Sequence, residues 1–200
     1  PSKAILNWEM RTGKSLPACH WIDHPSRAGN TYIICKKKNK QEWTNYGTKA
    51  TVLTKEEFKA TTIANPTAIV WDEAHNGASA LFIKGRSQLA TDFYTLVHRY
   101  PDCHVLLLTA TPVRNDAWSL HTLLCYIGIY YDWKKWRAKF FELKRMPFLR
   151  FPAWFPRSDW RELLDPFIKK HTDIVSLKDV VEYLPPAQTR IIRIKQPKYV

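Results

Sequence analysis

Gly13, Lys14 and Ser15 stand together near the start of the chain, in a pattern that suits phosphate chemistry. Phosphate binding needs backbone N–H groups at the start of a helix, a glycine that permits close approach, a lysine, and a hydroxyl for Mg²⁺. The strict phosphate-loop pattern has glycine where this chain has Trp8, so the segment alone is a weak signal. The candidate nucleotide-binding residues are Met10, Arg11, Thr12, Gly13, Lys14 and Ser15.

A second candidate is the acid pair Asp72 and Glu73, which follows an apolar run and opens an Asp-Glu-Ala-His sequence ending at His75. An aspartate at the end of a strand can hold Mg²⁺ through water, beside the lysine and serine of the first segment. The neighbouring glutamate can orient an attacking water and take its proton. A solvated acidic turn is the alternative interpretation, and the Gly-Lys-Ser some sixty residues earlier disfavours it.

The third candidate is the run of three leucines at 106–108, which ends in Thr109-Ala110-Thr111-Pro112. Alone, this pattern predicts only a strand and a turn. Together with the first two segments, it becomes a predicted element of the same site, because all three segments place polar groups directly after an apolar run.

The elements that must position these residues alternate along the chain. Short apolar runs predict buried strands, and two longer amphipathic stretches predict helices at 16–23 and 87–99. This alternation favours an α/β fold in which helices cover both faces of a parallel sheet and ligands bind beyond the carboxyl ends of the strands. The predicted strands are Ala4–Trp8, Thr31–Cys35, Thr51–Thr54, Ala68–Trp71 and Val105–Thr109.

Composition narrows the class of protein. The net charge of +13 favours a polyanionic partner such as nucleic acid. The apolar runs are only as long as strands, so we expect no membrane span. Cys19, His20 and His24 could suggest zinc, but no second ligand cluster has metal spacing, so we expect no zinc site. The cysteines form no CxxC pair and are expected to be buried thiols of a reducing compartment: Cys19, Cys35, Cys103 and Cys125.

The character of the chain changes at about Ile127, where prolines and aromatic residues become frequent and strand-like runs scarce. Residues 127–200 hold sixteen Lys and Arg against eight Asp and Glu, and so carry +8 of the net charge. We therefore predict an α/β domain at 1–126 and a protruding helical extension at 127–200. The extension should contain a basic amphipathic helix marked by Trp133, Trp136, Phe140 and Leu143.

In order and spacing, the three candidate segments resemble motifs I, II and III of superfamily 2 helicases and DNA translocases. Within that superfamily, the Swi/Snf branch is suggested by Glu9-Met10 before the loop and by a strand ending at Lys36 that is followed by Gln41-Glu42-Trp43. Three later segments also resemble this branch, namely 112–120, 165–171 and Tyr183-Leu184-Pro185-Pro186. The resemblance implies a RecA-like P-loop NTPase lobe that uses ATP and Mg²⁺.

The resemblance also implies roles for individual residues. Lys14 would stabilise the β- and γ-phosphates and face solvent, Ser15 would bind Mg²⁺, Asp72 would hold the water of the metal, and Glu73 would be the general base. Nucleotide state would be relayed to DNA by His75, Thr109 and Thr111.

The chain departs from the family at two positions. Arg11 replaces a usual glycine and Thr109-Ala110-Thr111-Pro112 replaces the commoner Thr-Gly-Thr-Pro, and both departures are typical of compact phage and bacterial translocases. The resemblance implies an adenine-reading motif before Pro1 and a second RecA-like lobe after Val200. Residues 1–200 alone, with Arg11 and Arg114 on the same lobe as the loop, are therefore expected to hydrolyse ATP barely above background.

Lys36, Lys37 and Lys38 directly follow the second predicted strand, and we expect them to contact DNA phosphates, although a solvated lysine run is the alternative. For the aromatic residues of 133–160, burial between subdomains is favoured over stacking on bases. The function predicted is ATP-driven movement along double-stranded DNA, in the cytoplasm of a bacterium or phage-infected cell, or in a eukaryotic nucleus. A strand-separating helicase or restriction-system motor subunit, and an ATP-responsive DNA-binding module without useful turnover, remain open.

Overall fold

The structure is a computed structural model that describes residues 2–81, 87–113, 116–146 and 150–180. The described residues form two β-sheets. The main sheet has six parallel strands in the order β3-β2-β4-β5-β1-β8, and β6 and β7 form a separate antiparallel hairpin. The predictions made for Arg114 and for Tyr183 to Pro186 fall outside the described residues. The strands are β1 (Lys3–Trp8), β2 (Asn30–Cys35), β3 (Thr51–Thr54), β4 (Pro66–Trp71), β5 (His104–Thr109), β6 (Phe141–Lys144), β7 (Ala153–Pro156) and β8 (Asp173–Val175).

Seven α-helices accompany these strands in the described part of the chain. Local sequence sets several of their starts. Thr54 accepts a hydrogen bond from the Glu57 backbone while the Glu57 carboxylate accepts one from Thr54, which is a capping box, and Asp132 caps a later helix in a similar way. The helices are α1 (Ser15–Ile22), α2 (Lys40–Asn45), α3 (Lys55–Ala60), α4 (Gln88–Arg99), α5 (Trp118–Tyr126), α6 (Trp133–Phe140) and α7 (Trp160–His171).

The central strands β2, β4 and β5 of the main sheet are buried on both faces, and alternate residues of each strand point to opposite sides. In β4, Ile69 and Trp71 face a core built with α3, α4, α5, α6 and α7, whereas Ala68 and Val70 face a second core built with α1 and α2. A Cβ atom on Gly77 would lie 2.0 Å from the Trp71 ring, so close packing requires glycine there. The structure therefore has the predicted α/β, RecA-like arrangement of a parallel sheet flanked by helices.

The extension after Ile127 packs against the main domain instead of standing apart. Trp136, Phe140, Phe141 and Trp160 are buried in the same cluster as residues of β4 and β5. The domain boundary placed at 126 stays a prediction, although β8 of the extension pairs with β1 of the main sheet.

One part of the extension was wrongly predicted. The amphipathic helix ends at Phe140, and Leu143 lies in β6 with 56% of its surface exposed. The three-residue step from Phe140 to Leu143 imitates a helical period, but the chain becomes extended at Phe141 and leaves the core as the β6–β7 hairpin.

Candidate nucleotide site

The loop between β1 and α1 is shaped by two residues in the left-handed conformation, Arg11 with φ of 67° and Gly13 with φ of 77°. A Cβ atom on Gly13 would meet no atom within 4 Å, so glycine is favoured there by backbone conformation and not by lack of space. The Thr12 hydroxyl donates to the Glu9 carbonyl over 2.8 Å and closes the loop. Left-handed Gly13 followed by right-handed Lys14 is the alternation that gathers backbone N–H groups into an anion-binding concavity.

Lys14 and Ser15 lie at the junction of this loop with α1. Lys14 is only 9% exposed, so the expectation that it faces solvent was wrong. The Ala18 N–H bonds back to the Lys14 carbonyl over 3.3 Å and closes the first turn of α1. Ser15 is the first residue of α1. Nearby, the pKa of Tyr46 is raised, chiefly by desolvation and then by Glu42, whose carboxylate accepts its hydroxyl. Met10 is exposed at the rim.

Asp72 follows β4 and is 5% exposed. Its backbone N–H donates to the Ile34 carbonyl over 2.8 Å, which extends the β2–β4 pairing by one residue. Its carboxylate Oδ2 accepts from Asn39 Nδ2 at 3.0 Å and from Trp43 Nε1 at 3.2 Å. The carboxylate is thus held in one orientation by two neutral donors.

Glu73 adopts the left-handed conformation, with φ of 52°, and begins the 3₁₀ turn Ala74–Asn76. This conformation is uncommon for a residue with a side chain and costs about 1–3 kcal/mol. It turns the chain sharply after the strand, so the carboxylates of Asp72 and Glu73 are presented by an abrupt turn at the edge of the sheet. Glu73 Oε2 lies 3.4 Å from His75 Nδ1.

His75 connects the acid turn to β5. Asn76 Nδ2 donates to His75 Nε2 at 2.9 Å, so the ring proton resides on Nδ1, which donates to Thr109 Oγ1 at 2.9 Å. Thr109 Oγ1 also accepts from the Thr111 backbone N–H at 3.0 Å. The structure therefore brings the three predicted coupling residues, His75, Thr109 and Thr111, into one hydrogen-bonded chain.

Strand order explains how the three segments meet. β5 lies between β1 and β4, so the loop that follows β1 and the acids that follow β4 are about 10 Å apart, across the width of one intervening strand. All three strands are parallel and end at the same edge. Asp72, Glu73, His75, Thr109 and Thr111 form the group beside β4 and β5, while Lys14 and Ser15 stand on the far side of β5.

The predicted DNA-contacting lysines divide into two kinds. Lys37 and Lys38 are exposed on the 3₁₀ turn Lys37–Asn39, whereas Lys36 is partly buried. Lys36 is close enough to Lys55 to affect the pKa of its ammonium group. Burial lowers the pKa of Lys55, Lys36 lowers it further, and the nearby acids Glu56, Glu73 and Asp72 oppose this effect. Positive and negative groups therefore lie next to each other at this edge of the sheet.

Three residues near the site were not predicted to belong to it. Asn39 and Trp43 donate hydrogen bonds to Asp72, and Lys55 stands beside the acids. Lys55 could have been found, because it directly follows a strand that ends at the same edge. Trp43 belongs to a segment that the family resemblance singled out, but neither it nor Asn39 was marked as a partner of Asp72, which lies roughly thirty residues away along the chain.

In the described ranges, no cluster of three or more His, Cys, Asp and Glu side chains could hold a metal ion. Burial, and secondarily Asp23, raises the pKa of the Cys19 thiol to about 11, which disfavours the thiolate that a metal would need. Cys35, Cys103 and Cys125 are also buried, and their pKa values are raised mainly by burial to between about 11 and about 12.

Among the helices that the structure describes, none is long and apolar enough to cross a membrane.

Comparison of the fold with solved structures gives a match to the Sulfolobus solfataricus SWI2/SNF2 ATPase core, determined in complex with double-stranded DNA. The TM-score is 0.63 and the sequence identity is 15%, so the likeness is one of fold. The alignment covers 89% of this chain but only 41% of the other, and this chain thus spans less than half of the neighbour's length. No family model matches the sequence, and no curated protein matches it either.

Proposed function

We propose that this chain is the nucleotide-binding lobe of an ATP-driven DNA motor of the superfamily 2 kind, and most closely of the Swi/Snf branch. The observation that carries the proposal is the meeting of three segments at one edge of the sheet. The loop after β1, the acids after β4 and the threonines after β5 lie side by side, and His75 and Thr109 join the last two at 2.9 Å. The fold shared with a SWI2/SNF2 ATPase core supports this proposal.

The loop between β1 and α1 would bind the phosphates of the nucleotide. The backbone N–H groups around Gly13 and the start of α1 offer donors to the phosphate oxygens, and the Lys14 ammonium adds charge directed at the β- and γ-phosphates. Because Lys14 is already covered by protein, its charge acts in a setting of low dielectric, where it attracts an anion more strongly than in water.

The residues present fit Mg²⁺, which prefers hard oxygen ligands. The Ser15 hydroxyl would bind the metal directly and Asp72 would hold one of its waters. Both hydrogen bonds that described side chains make to the Asp72 carboxylate end on Oδ2, which leaves Oδ1 for that water. When bound, Mg²⁺ would neutralise charge on the phosphate oxygens.

Glu73 is the general base of the proposed reaction. Its carboxylate stands one residue after Asp72, so it would face the attacking water and accept its proton while the phosphate is held by the loop. The hydrogen-bonded chain His75–Thr109–Thr111 begins two residues after Glu73. Movement of the acid turn would therefore change the hydrogen bonds at the end of β5.

Double-stranded DNA is the proposed binding partner along which the motor would move. It is the ligand of the neighbour of similar fold, and the exposed Lys37 and Lys38 of this chain suit contact with phosphates. In this proposal the DNA contact would lie near the acid turn, because Lys36 and Lys55 lie close to Glu73 and Asp72.

Calorimetric titration with Mg-ADP tests the proposal. Replacing Lys14→Ala should weaken binding by about 10- to 100-fold, because a hydrogen bond to a charged group contributes about 1.5–3 kcal/mol. Lys49→Ala is the matched control, since Lys49 is exposed and precedes β3 at the opposite edge of the sheet. Thermal unfolding of each variant would verify that the fold is intact. Equal affinity of wild type and Lys14→Ala would refute the nucleotide site.

A further inference from the structure

Helix α2 is a short element, Lys40–Asn45, that contacts the predicted metal-holding residue Asp72. Asn39, at its start, and Trp43, in its middle, both donate to Oδ2 of Asp72, at 3.0 and 3.2 Å. One short helix and its first flanking residue thus contact, from two positions, a side chain through which the protein would hold Mg²⁺.

The two hydrogen bonds to Asp72 restrict the orientation of its carboxylate. Two donors on one carboxylate oxygen fix the rotation of the carboxylate and orient the other oxygen away from α2. Trp43 is 1% exposed, so its indole cannot easily move, and its ring contacts Tyr46 edge-on with centroids 6.0 Å apart. Tyr46 is held in turn by Glu42, whose carboxylate accepts its hydroxyl at 3.2 Å. Asn39, Trp43 and Tyr46 therefore form one connected unit.

We propose that Asn39 and Trp43 are positioning residues for Asp72, and that they hold its carboxylate in the orientation in which Oδ1 would bind a water of one Mg²⁺ ion. This inference rests on the proposed nucleotide site. Residues that hydrogen-bond to metal ligands typically change metal affinity or activity by 10- to 100-fold when they are replaced. Neither Asn39 nor Trp43 touches the phosphate loop, so their effect should appear only when the metal takes part.

Burial of Trp43 also contributes to the core around α1 and β2, so a defect in packing must be separated from a defect in positioning. Trp43→Phe keeps an aromatic ring and removes the N–H donor. Asn39→Leu has nearly the same shape as asparagine and removes the amide donor. Gln41→Ala is the matched control, because Gln41 is exposed on the same helix and donates to Asn45, not to Asp72.

The experiment measures ADP binding by calorimetry, once with saturating Mg²⁺ and once with EDTA. Asn39→Leu and Trp43→Phe should weaken Mg-ADP binding by about 10- to 100-fold and leave metal-free ADP binding within about twofold of wild type. Gln41→Ala should match wild type in both titrations. If Trp43→Phe fails to fold, the Asn39→Leu variant decides the question alone.

A double-mutant cycle with Asp72→Asn sharpens the test. If Asn39 acts through Asp72, adding Asn39→Leu to Asp72→Asn should weaken Mg-ADP binding no further. Full additivity of the two losses, or Mg-ADP affinity in Asn39→Leu equal to wild type, would overturn the positioning role while the nucleotide site remains. Loss of the Lys14 effect described above would instead overturn the site itself.

Discussion

Replacing Thr109→Val removes the hydroxyl on which the coupling chain depends. Thr109 is fully buried at the end of β5, and its Oγ1 accepts from both His75 Nδ1–H and the Thr111 N–H, at 2.9 and 3.0 Å. Valine has nearly the same shape as threonine, so the substitution changes polarity with little change in packing. The His75 ring, which is largely buried, and the Thr111 backbone N–H would both lose this acceptor.

The expected cost follows from these two hydrogen bonds. A buried donor left without its acceptor costs about 1–3 kcal/mol, so Thr109→Val should reduce the free energy of unfolding by about that amount. For a chain of this length, 1 kcal/mol lowers Tm by about 2–4 °C. Thr109→Ser is the matched control, because it keeps the hydroxyl and removes one methyl group, at a cost of about 1 kcal/mol.

Urea unfolding followed by tryptophan fluorescence would measure both variants. The reasoning predicts that Thr109→Val is the less stable of the two, with a lowered midpoint and an unchanged dependence on urea. A valine variant as stable as wild type, or more stable than Thr109→Ser, would show that the hydroxyl does not hold the acid turn to β5.

Two further predictions concern the lysines and a buried histidine. Replacing Lys36, Lys37 and Lys38 with alanine should weaken DNA binding and reduce the slope of log affinity against log salt by up to about 3, measured by fluorescence anisotropy across a salt series; an unchanged slope would exclude phosphate contact. Burial lowers the pKa of His121, so the unfolded chain binds a proton that the folded chain does not, and stability falls as pH decreases below about 6.5. His121→Gln should reduce the stability difference between pH 7.5 and pH 5.5 in urea unfolding, and an equally steep pH dependence in the variant would contradict this.

The central strands were predictable because β2, β4 and β5 are buried on both faces, and such strands appear in the sequence as continuous apolar runs. The predicted strand at Thr51–Thr54 has the observed bounds, and that at Ala68 begins two residues earlier, at Pro66. The strand β8 and the hairpin were missed for the opposite reason. β8 has no buried residue, and in the hairpin only Phe141 is buried while the cross-strand partners Leu143 and Trp154 are exposed, so burial imposes no continuous apolar run on these strands.

The candidate site also contains some residues that could be predicted from the sequence and others that could not. The acids and threonines were predictable because each directly follows a buried strand, and parallel strands end at one edge. The residues that orient them were not, because Asn39 and Trp43 stand 33 and 29 positions from Asp72. Their contact depends on how α2 packs beside β4, which no local pattern records. Lys14 was expected to face solvent for a similar reason, since its burial arises only in the folded chain.

The extension gives a physical reason for the departure from the phosphate-loop pattern at Trp8. β8 pairs with the end of β1, and the Trp8 indole donates to Asp173 Oδ2 at 2.7 Å, a bond that glycine could not make. The next residue, Glu9, donates its N–H to the Val175 carbonyl at 3.0 Å and accepts from the Leu177 N–H at 2.7 Å. The first residue of the loop is therefore held by a segment some 165 positions away. Because these bonds fix the loop from outside the first 126 residues, its shape depends on the extension as well as on α1.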